Sequence, residues 1–350
     1  MPASANPSSS WSGPARVSRR LLLGGSLSAA LIGGLAACNS SATPSAGDQA
    51  TGSATVFPVT VTHKYGDTVV PAAPQRVVVV GYTEQDILLA LGITPVATTE
   101  WYGKQPYAVW PWAQSKLGDA KPEVLSTDDG LQLERIAALT PDLIIGTNAG
   151  LKKAQYESLT KIAPTIANSG KYASDWFEPW PVQTLLVGKA VGKEAEAQKL
   201  VDELTKRFSD TATSHPQFAD VPAIFLQAPY YDGEAIAYQD GLSTNFLTDL
   251  GFVIPKQLDA YEREGEQAHI PVEKLDVLNA GDVLIWATED DKAKAQLQEN
   301  KLFGQLKAVK AGRSIYTGGE LAGAIYFATL LSLPYVLDTL VPQLEQALPA

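Results

Sequence analysis

Leu133-Glu134-Arg135-Ile136-Ala137-Ala138-Leu139, followed by Thr140-Pro141-Asp142 and then Leu143-Ile144-Ile145-Gly146, is the stretch on which the fold turns. Its first part carries apolar residues at helical spacing. Proline then stops the helix, and the closing apolar run reads as a strand buried on both faces, as strands of parallel sheets are. A near copy stands late in the chain. Glu273-Lys274-Leu275-Asp276-Val277-Leu278 precedes Asp282-Val283-Leu284-Ile285-Trp286, so one helix-to-strand unit is written twice. Such repetition predicts two lobes of related architecture.

Working outward, Val77-Val78-Val79-Val80-Gly81 is another continuous β-branched run, with a helical pattern over residues 83–91 behind it and Gly92 to close that helix. Alternation of this kind predicts an α/β fold: two lobes, each a mainly parallel sheet with flanking helices. Between the copies, residues 181–214 set Lys and Glu around a stripe of Leu, Val and Ala. As one helix they would span roughly 50 Å and join the lobes. Gly188 and Gly192 argue against its being straight, since each costs about 1 kcal/mol relative to alanine. The terminal helix, over residues 324–348, holds Pro334 and Pro342 and is expected to break at one of them. The resulting division is 56–180 for the N-terminal lobe, 181–214 for a bridging helix and 215–350 for the C-terminal lobe.

The first 37 residues read as an address. Arg19-Arg20 lies ahead of the apolar stretch 21–37, which ends in Leu35-Ala36-Ala37-Cys38. A charged start, an apolar middle and small residues before a cut form a signal peptide, and the paired arginines suit twin-arginine export as well as general secretion. Leu-Ala-Ala-Cys resembles a bacterial lipobox, which makes Cys38 the lipidated first residue of the exported chain, held to the outer face of the cytoplasmic membrane. Residues 38–55, rich in Ser, Thr, Ala and Gly, cannot bury enough apolar area to fold and serve as a flexible tether.

Composition narrows the function. The chain carries a net charge of −11, and with the three leader arginines Arg16, Arg19 and Arg20 set aside, 24 basic residues face 38 acidic ones. So acidic a protein is a poor binder of nucleic acid. A single cysteine excludes an internal disulfide and a thiolate cluster. The three histidines, His63, His215 and His269, are far apart in sequence, each near an element boundary, so bare metal binding is disfavoured. There is no Gly-x-Ser-x-Gly elbow, no HExxH pair and no phosphate-cradling loop, which leaves a secreted hydrolase as the weaker class. Asp128-Asp129 and Asp290-Asp291 read as solvated or capping carboxylates.

Taken together, the lipobox, the Gly81-Tyr82-Thr83-Glu84 turn, the two helix-to-strand units and the long bridge resemble the siderophore, haem and cobalamin binding proteins of ABC importers, in which a single rigid helix joins two α/β lobes. Trp101-Tyr102-Gly103 through Trp110-Pro111-Trp112 is similar to actinobacterial iron-siderophore lipoproteins of the ferric-citrate type. The resemblance implies a monomer without cofactor or resident metal that takes a ferric siderophore or haem and hands it to a permease driven by its ATPase. It also implies one docking glutamate per lobe, at Glu134 and Glu273.

Ligands of open α/β sheets bind beyond the carboxyl ends of the strands. That rule selects Tyr82, Asn148, Tyr230, Tyr231 and Trp286, with Trp101, Tyr102, Trp110, Trp112, Trp176 and Arg263 in loops at the rim. Five of the seven tryptophans fall between residues 101 and 180, among prolines, as an amphipathic wall for a flat or globular organic ligand requires. Trp180 and Tyr335 border helices and are assigned to packing. Past Cys38 the chain has five arginines, of which Arg263 is the best placed for the cleft and Arg313 less so. A triply anionic catecholate complex needs several guanidiniums, so a neutral or cationic hydroxamate fits better. A loop tyrosine such as Tyr82 or Tyr231 keeps haem open.

Overall fold

The computed structural model describes residues 56–263 and 267–349. The expected signal peptide 1–37, Cys38 and the expected tether lie outside the described residues. After an antiparallel hairpin of β1 (Val59–His63) and β2 (Gly66–Val70), the N-terminal lobe is built on five short strands. These are β3 (Val77–Val79), β4 (Ala97–Thr99), β5 (Glu123–Leu125), β6 (Leu143–Gly146) and β7 (Thr165–Ala167). They pair in the order β5-β4-β3-β6-β7, all parallel. Four helices link them: α1 (Glu84–Ala90), α2 (Pro111–Gln114), α3 (Leu133–Ala138) and α4 (Lys153–Leu159).

The continuous apolar runs follow from burial on both faces. Val77 and Val79 of β3, with Leu143 and Ile145 of β6, join Ile87 and Leu88 of α1 in one core. The intervening Val78 and Ile144 enter a second core with Ile136 of α3 and Leu159 of α4. With side chains alternating across the pleat, neither face tolerates a polar residue.

The C-terminal lobe departs from the expected pattern. Its strands β8 (Ala223–Gln227), β9 (Glu234–Ala237), β10 (Ala268–Pro271), β11 (Val283–Ala287) and β12 (Ser314–Tyr316) pair in the order β10-β9-β8-β11-β12. Neighbours β8, β11 and β12 pair in parallel, while β9 alone runs the other way, antiparallel to both β8 and β10. The link 228–233 is too short for a parallel crossover, which needs a dozen or more residues, so a hairpin is the remaining solution. The repeated unit is therefore imperfect. Glu273 to Leu278, the counterpart of α3, lies in a 3-10 helix, Val272–Ala280, kinked at Lys274.

The helix expected over 181–214 is two helices, α5 (Trp180–Ala190) and α6 (Glu194–Ser214). Gly192 in the left-handed region, at φ +70°, breaks it. Val187 and Ala190 of α5 pack into the N-terminal core beside α1. The crossing is left to α6, whose 21 residues reach about 31 Å. Its Ala197 lies in the N-terminal core, Leu204 and Phe208 lie in the C-terminal core, and Leu200 packs against both.

The joint between α5 and α6 is tight. A Cβ at Gly188 would stand 2.3 Å from the Ala197 Cβ. Gly188→Ala is accordingly expected to destabilise the protein by about 1–3 kcal/mol despite alanine's better helix propensity. Urea unfolding checks this, and a stabilised variant would show that the two helices separate freely.

After α7 (Asn245–Thr248), α8 (Asp291–Glu299) and α9 (Lys307–Lys310), the chain ends in α10 (Gly318–Phe327) and α11 (Ser332–Ala347). The break between these two is at Ala328, at φ +47°, and at neither proline. Pro334 sits in the first turn of α11, where no intrahelical N–H is needed, and Pro342 lies on its exposed side. No helix of the described residues is long and apolar enough to cross a membrane.

Candidate functional site

Two turns position the N-terminal half of the site. Beyond β3 the Tyr82 amide donates to the Asn148 carbonyl at 3.2 Å, tying the turn after β3 to the loop after β6. Beneath them lies the Glu84 carboxylate, wholly buried, which accepts from the Asn148 amide at 2.6 Å, the Thr83 amide at 3.1 Å and the Thr147 hydroxyl at 3.2 Å. Burial pushes its pKa up, and those donors pull against the shift. Gly81 is required here because a Cβ would fall 2.1 Å from Glu84 Oε1.

Asn148 does not face a ligand. Its Nδ2 donates to Thr83 Oγ1 at 3.1 Å, and its Oδ1 accepts from the Phe177 amide at 2.9 Å. With both backbone groups engaged as well, it is a fully buried hub that holds the Tyr82 turn and the 176–177 loop together.

On this frame the aromatic residues form a seam. The Tyr82 ring is stacked between Trp101 (5.6 Å between centroids, 10° between planes) and Trp176 (5.2 Å, 15°). Gly150, at φ +54°, makes room for Trp176, since a Cβ there would stand 2.2 Å from the indole. Trp101 also meets Tyr102, Phe177 and, from α10 of the opposite lobe, Phe327 at 5.4 Å. Tyr102 approaches Tyr326 at 6.4 Å and Trp110 at 5.3 Å, and Trp110 stacks on Trp112 at 5.0 Å. Tyr326 continues to Phe225 and Tyr238 inside the C-terminal lobe. Offset-stacked and edge-on contacts of this kind are worth about 0.5–1.5 kcal/mol each beyond the area they bury.

Polar groups within the seam are few. The Tyr82 hydroxyl is paired with Thr127 Oγ1 at 3.1 Å, whereas the buried Tyr102 hydroxyl has no partner among the described residues. Burial raises the pKa of Tyr102, and the Glu289 carboxylate adds to the shift. Tyr231, 45% exposed, is raised by the same two causes, which places Glu289, just past β11, near both phenols. The Trp112 indole donates to Asp86 at 2.8 Å.

Of the eleven residues that sequence places at the cleft, Tyr82, Trp101, Tyr102, Trp110, Trp112 and Trp176 come together in this seam. Trp110 is only 5% exposed and acts as its floor, with Gly103 and Gly323 closed against the indole. Trp286 belongs elsewhere. Pleat alternation puts it with Leu284 on the far face of the sheet, fully buried beneath Leu297 and Phe303. Tyr230 packs edge-on against Trp286 at 6.3 Å and shares that core.

Arg263 is ion-paired to Glu234, which also meets His269 Nδ1 at 3.1 Å, so neither side chain reaches toward the seam unaccompanied. His63 is tied to Thr68 and His215 to Glu345, as structural histidines are. The described residues hold no group of three or more metal-ligating side chains. Glu134 and Glu273 are exposed, one on each lobe, in the first turns of their helices. Trp180 and Tyr335 pack against the C-terminal core.

Sequence reasoning missed Phe177, Tyr238, Tyr326 and Phe327. The last two stand in Leu321-Ala322-Gly323-Ala324-Ile325-Tyr326-Phe327, which reads as core. Adjacent aromatics at the very end of a helix, with a left-handed residue after them, are the signal that marks them as facing out of it.

The comparisons agree with this geometry. A model of the periplasmic binding protein family matches residues 77–321. The chain is 29% identical over 292 residues to a probable siderophore-binding lipoprotein of Bacillus subtilis, covering 80% of this chain and 85% of that one. A periplasmic solute binding protein of Mycobacterium smegmatis superposes with a TM-score of 0.77 at 45% identity, covering 83% of this chain and 98% of its own. PiaA of Streptococcus pneumoniae, solved in complex with ferrichrome, does so with a TM-score of 0.67 at 28% identity, covering 83% and 98%.

Proposed function

This chain belongs to the periplasmic binding protein family, and from that premise we propose that it captures a ferric siderophore between its two lobes and delivers it to the permease of an ABC importer. It is a carrier and not an enzyme. The observation that carries this reading is the aromatic seam, which joins Trp101 and Tyr102 of one lobe to Tyr326 and Phe327 of the other. Rings on two bodies, parted by a small rotation about α6, offer stacking faces to a bulky chelate from both sides.

Charge favours a chelate of low net charge. Arg135 is bonded to Glu123, Arg207 to Asp338 and Arg263 to Glu234. Arg76 and Arg313 stand at the N-terminal ends of β3 and β12, opposite the seam. With no unpaired guanidinium placed at the seam among the described residues, a triply anionic catecholate complex would be desolvated at a large uncompensated cost. A ferric hydroxamate avoids that cost.

The remaining assignments complete the picture. Cys38 carries the lipid, residues 38–55 give the domain reach from the outer face of the membrane, and Glu134 and Glu273 dock on the permease. Calorimetric titration with ferrioxamine, ferrichrome, carboxymycobactin, haem and cobalamin tests the reading. Binding of a hydroxamate chelate is expected, and saturation by haem or cobalamin with none by any siderophore would overturn it.

A further inference from the structure

Asp86 is the third residue of α1, fully buried, and bonded to both lobes. Its Oδ2 accepts from Trp112 Nε1 at 2.8 Å and, across the junction, from Thr329 Oγ1 at 2.6 Å. Thr329 lies in the link between α10 and α11. While donating its hydrogen to Asp86 as a hydrogen bond, the hydroxyl oxygen accepts the Ser332 amide at 3.1 Å and the Leu331 amide at 3.4 Å. The Ser332 hydroxyl returns a bond by accepting the Thr329 amide at 2.9 Å. A carboxylate of the N-terminal lobe thus holds the start of α11 in the C-terminal lobe.

The hold is incomplete. Asp86 Oδ1 is buried without any donor among the described residues. Among the described residues neither Asp86 oxygen has a cationic partner, and the other carboxylates and phenols on the surrounding elements are engaged elsewhere. Glu84 on α1 bonds Asn148 and Thr147, Asp338 on α11 bonds Arg207, Glu320 on α10 faces Tyr335, and Tyr326 faces Tyr238. Lys189 stands in the last turn of α5, at the other end of the helix from Trp180, and α2 carries no ionisable side chain. Beside Thr329 is a gap of roughly 10 Å³, lined also by Thr83, Ile87, Trp180, Gln183, Thr184 and Ala328. That is about the space of one water molecule, so a slight parting of the lobes wets the junction.

We propose that Asp86 is a charge-loaded latch: ionised, its uncompensated buried oxygen favours parting of the lobes, and protonated, it lets the closed arrangement persist. Its role is to position Trp112 and Thr329 and to keep the empty protein from locking shut. The sign follows from linkage. Burial raises the pKa of Asp86 from 3.8 to about 6 in the closed arrangement, against the donor bonds of Thr329 and Trp112. A proton held more tightly when the lobes are closed stabilises closure at low pH, and that stabilisation is lost as pH rises through about 6. Between pH 7 and pH 5 the ratio of closed to open molecules should rise about tenfold.

The test measures lobe separation directly, with nitroxide labels at positions 134 and 273 in a Cys38→Ser background and electron-paramagnetic distance distributions from pH 5 to pH 7.5. The unliganded protein should shift toward the short distance as the pH falls below about 6. Asp86→Asn should stay at the short distance throughout. Thr329→Val, which keeps the carboxylate but removes its donor from the other lobe, should move the midpoint upward. A pH-independent wild type, or a transition that survives in Asp86→Asn unchanged, overturns the proposal. Because no chelate is involved, failure here leaves the siderophore reading standing.

Discussion

Replacing Trp101 by alanine is expected to weaken chelate binding about 100-fold, roughly 3 kcal/mol, while leaving the protein folded. This indole is the crossing point of the seam, stacked on Tyr82, edge-on to Tyr102 and in contact with Phe327 of the other lobe. A parted junction offers it to a ligand as a broad rigid face, which loses little conformational entropy on binding. Trp286→Ala supplies the contrast. That side chain is fully enclosed in the C-terminal core, so its loss should cost about 3–5 kcal/mol of stability with little change in affinity where the protein remains folded. Calorimetric titration and urea unfolding of the pair separate the roles, and equal affinity losses in both variants would sink the assignment of the seam as the binding surface.

The two tryptophans also show where sequence reasoning reached and where it stopped. Strands β3, β6 and β11 were legible because a run of apolar residues too short for a helix, bounded by turns, has few other solutions. The rule that ligands lie past the strand ends selects Tyr82, and the structure brings that ring together with the aromatics of the 101–112 loop. It failed for Trp286, the fourth residue of β11, because a strand's last residues still alternate between faces and one position decides between cleft and core. It failed differently for Asn148. The residue does lie beyond β6, but its backbone amide serves the buried Glu84, and its side-chain amide is taken up by Thr83 and Phe177 in holding the two loops together.

The bridge was misjudged for a local reason. Charge and apolar stripe continue across residues 191–193, and the pattern registers Gly192 as a cost rather than a stop. What breaks the helix is the return of α6 against α5, with Gly188 and Ala197 in close approach, a tertiary demand that periodicity cannot carry. The same holds for the C-terminal sheet, where the length of the 228–233 link outweighs the strand pattern. Asp86 lies beyond pattern altogether, since the donor that gives it meaning is Thr329, far away in the chain.

Reversing charge at Glu134 and Glu273 together should reduce uptake of the chelate by intact cells at least tenfold and leave binding by the purified protein unchanged. Both side chains are exposed, and each lies in the first turn of a helix on its own lobe. Their contribution to the fold is therefore confined to the helix dipole, about 0.3–1 kcal/mol each, too little to unfold the protein. Opposed to cationic groups of a permease they would do much more, because like charges juxtaposed at an interface cost several kcal/mol. One lysine should give partial uptake and two should nearly abolish it, since each lobe contributes one contact. Transport measured with an iron-55 chelate beside calorimetry on the same variants decides the matter: undiminished uptake in the double variant would mean that these carboxylates serve only their helices and that the permease grips another surface.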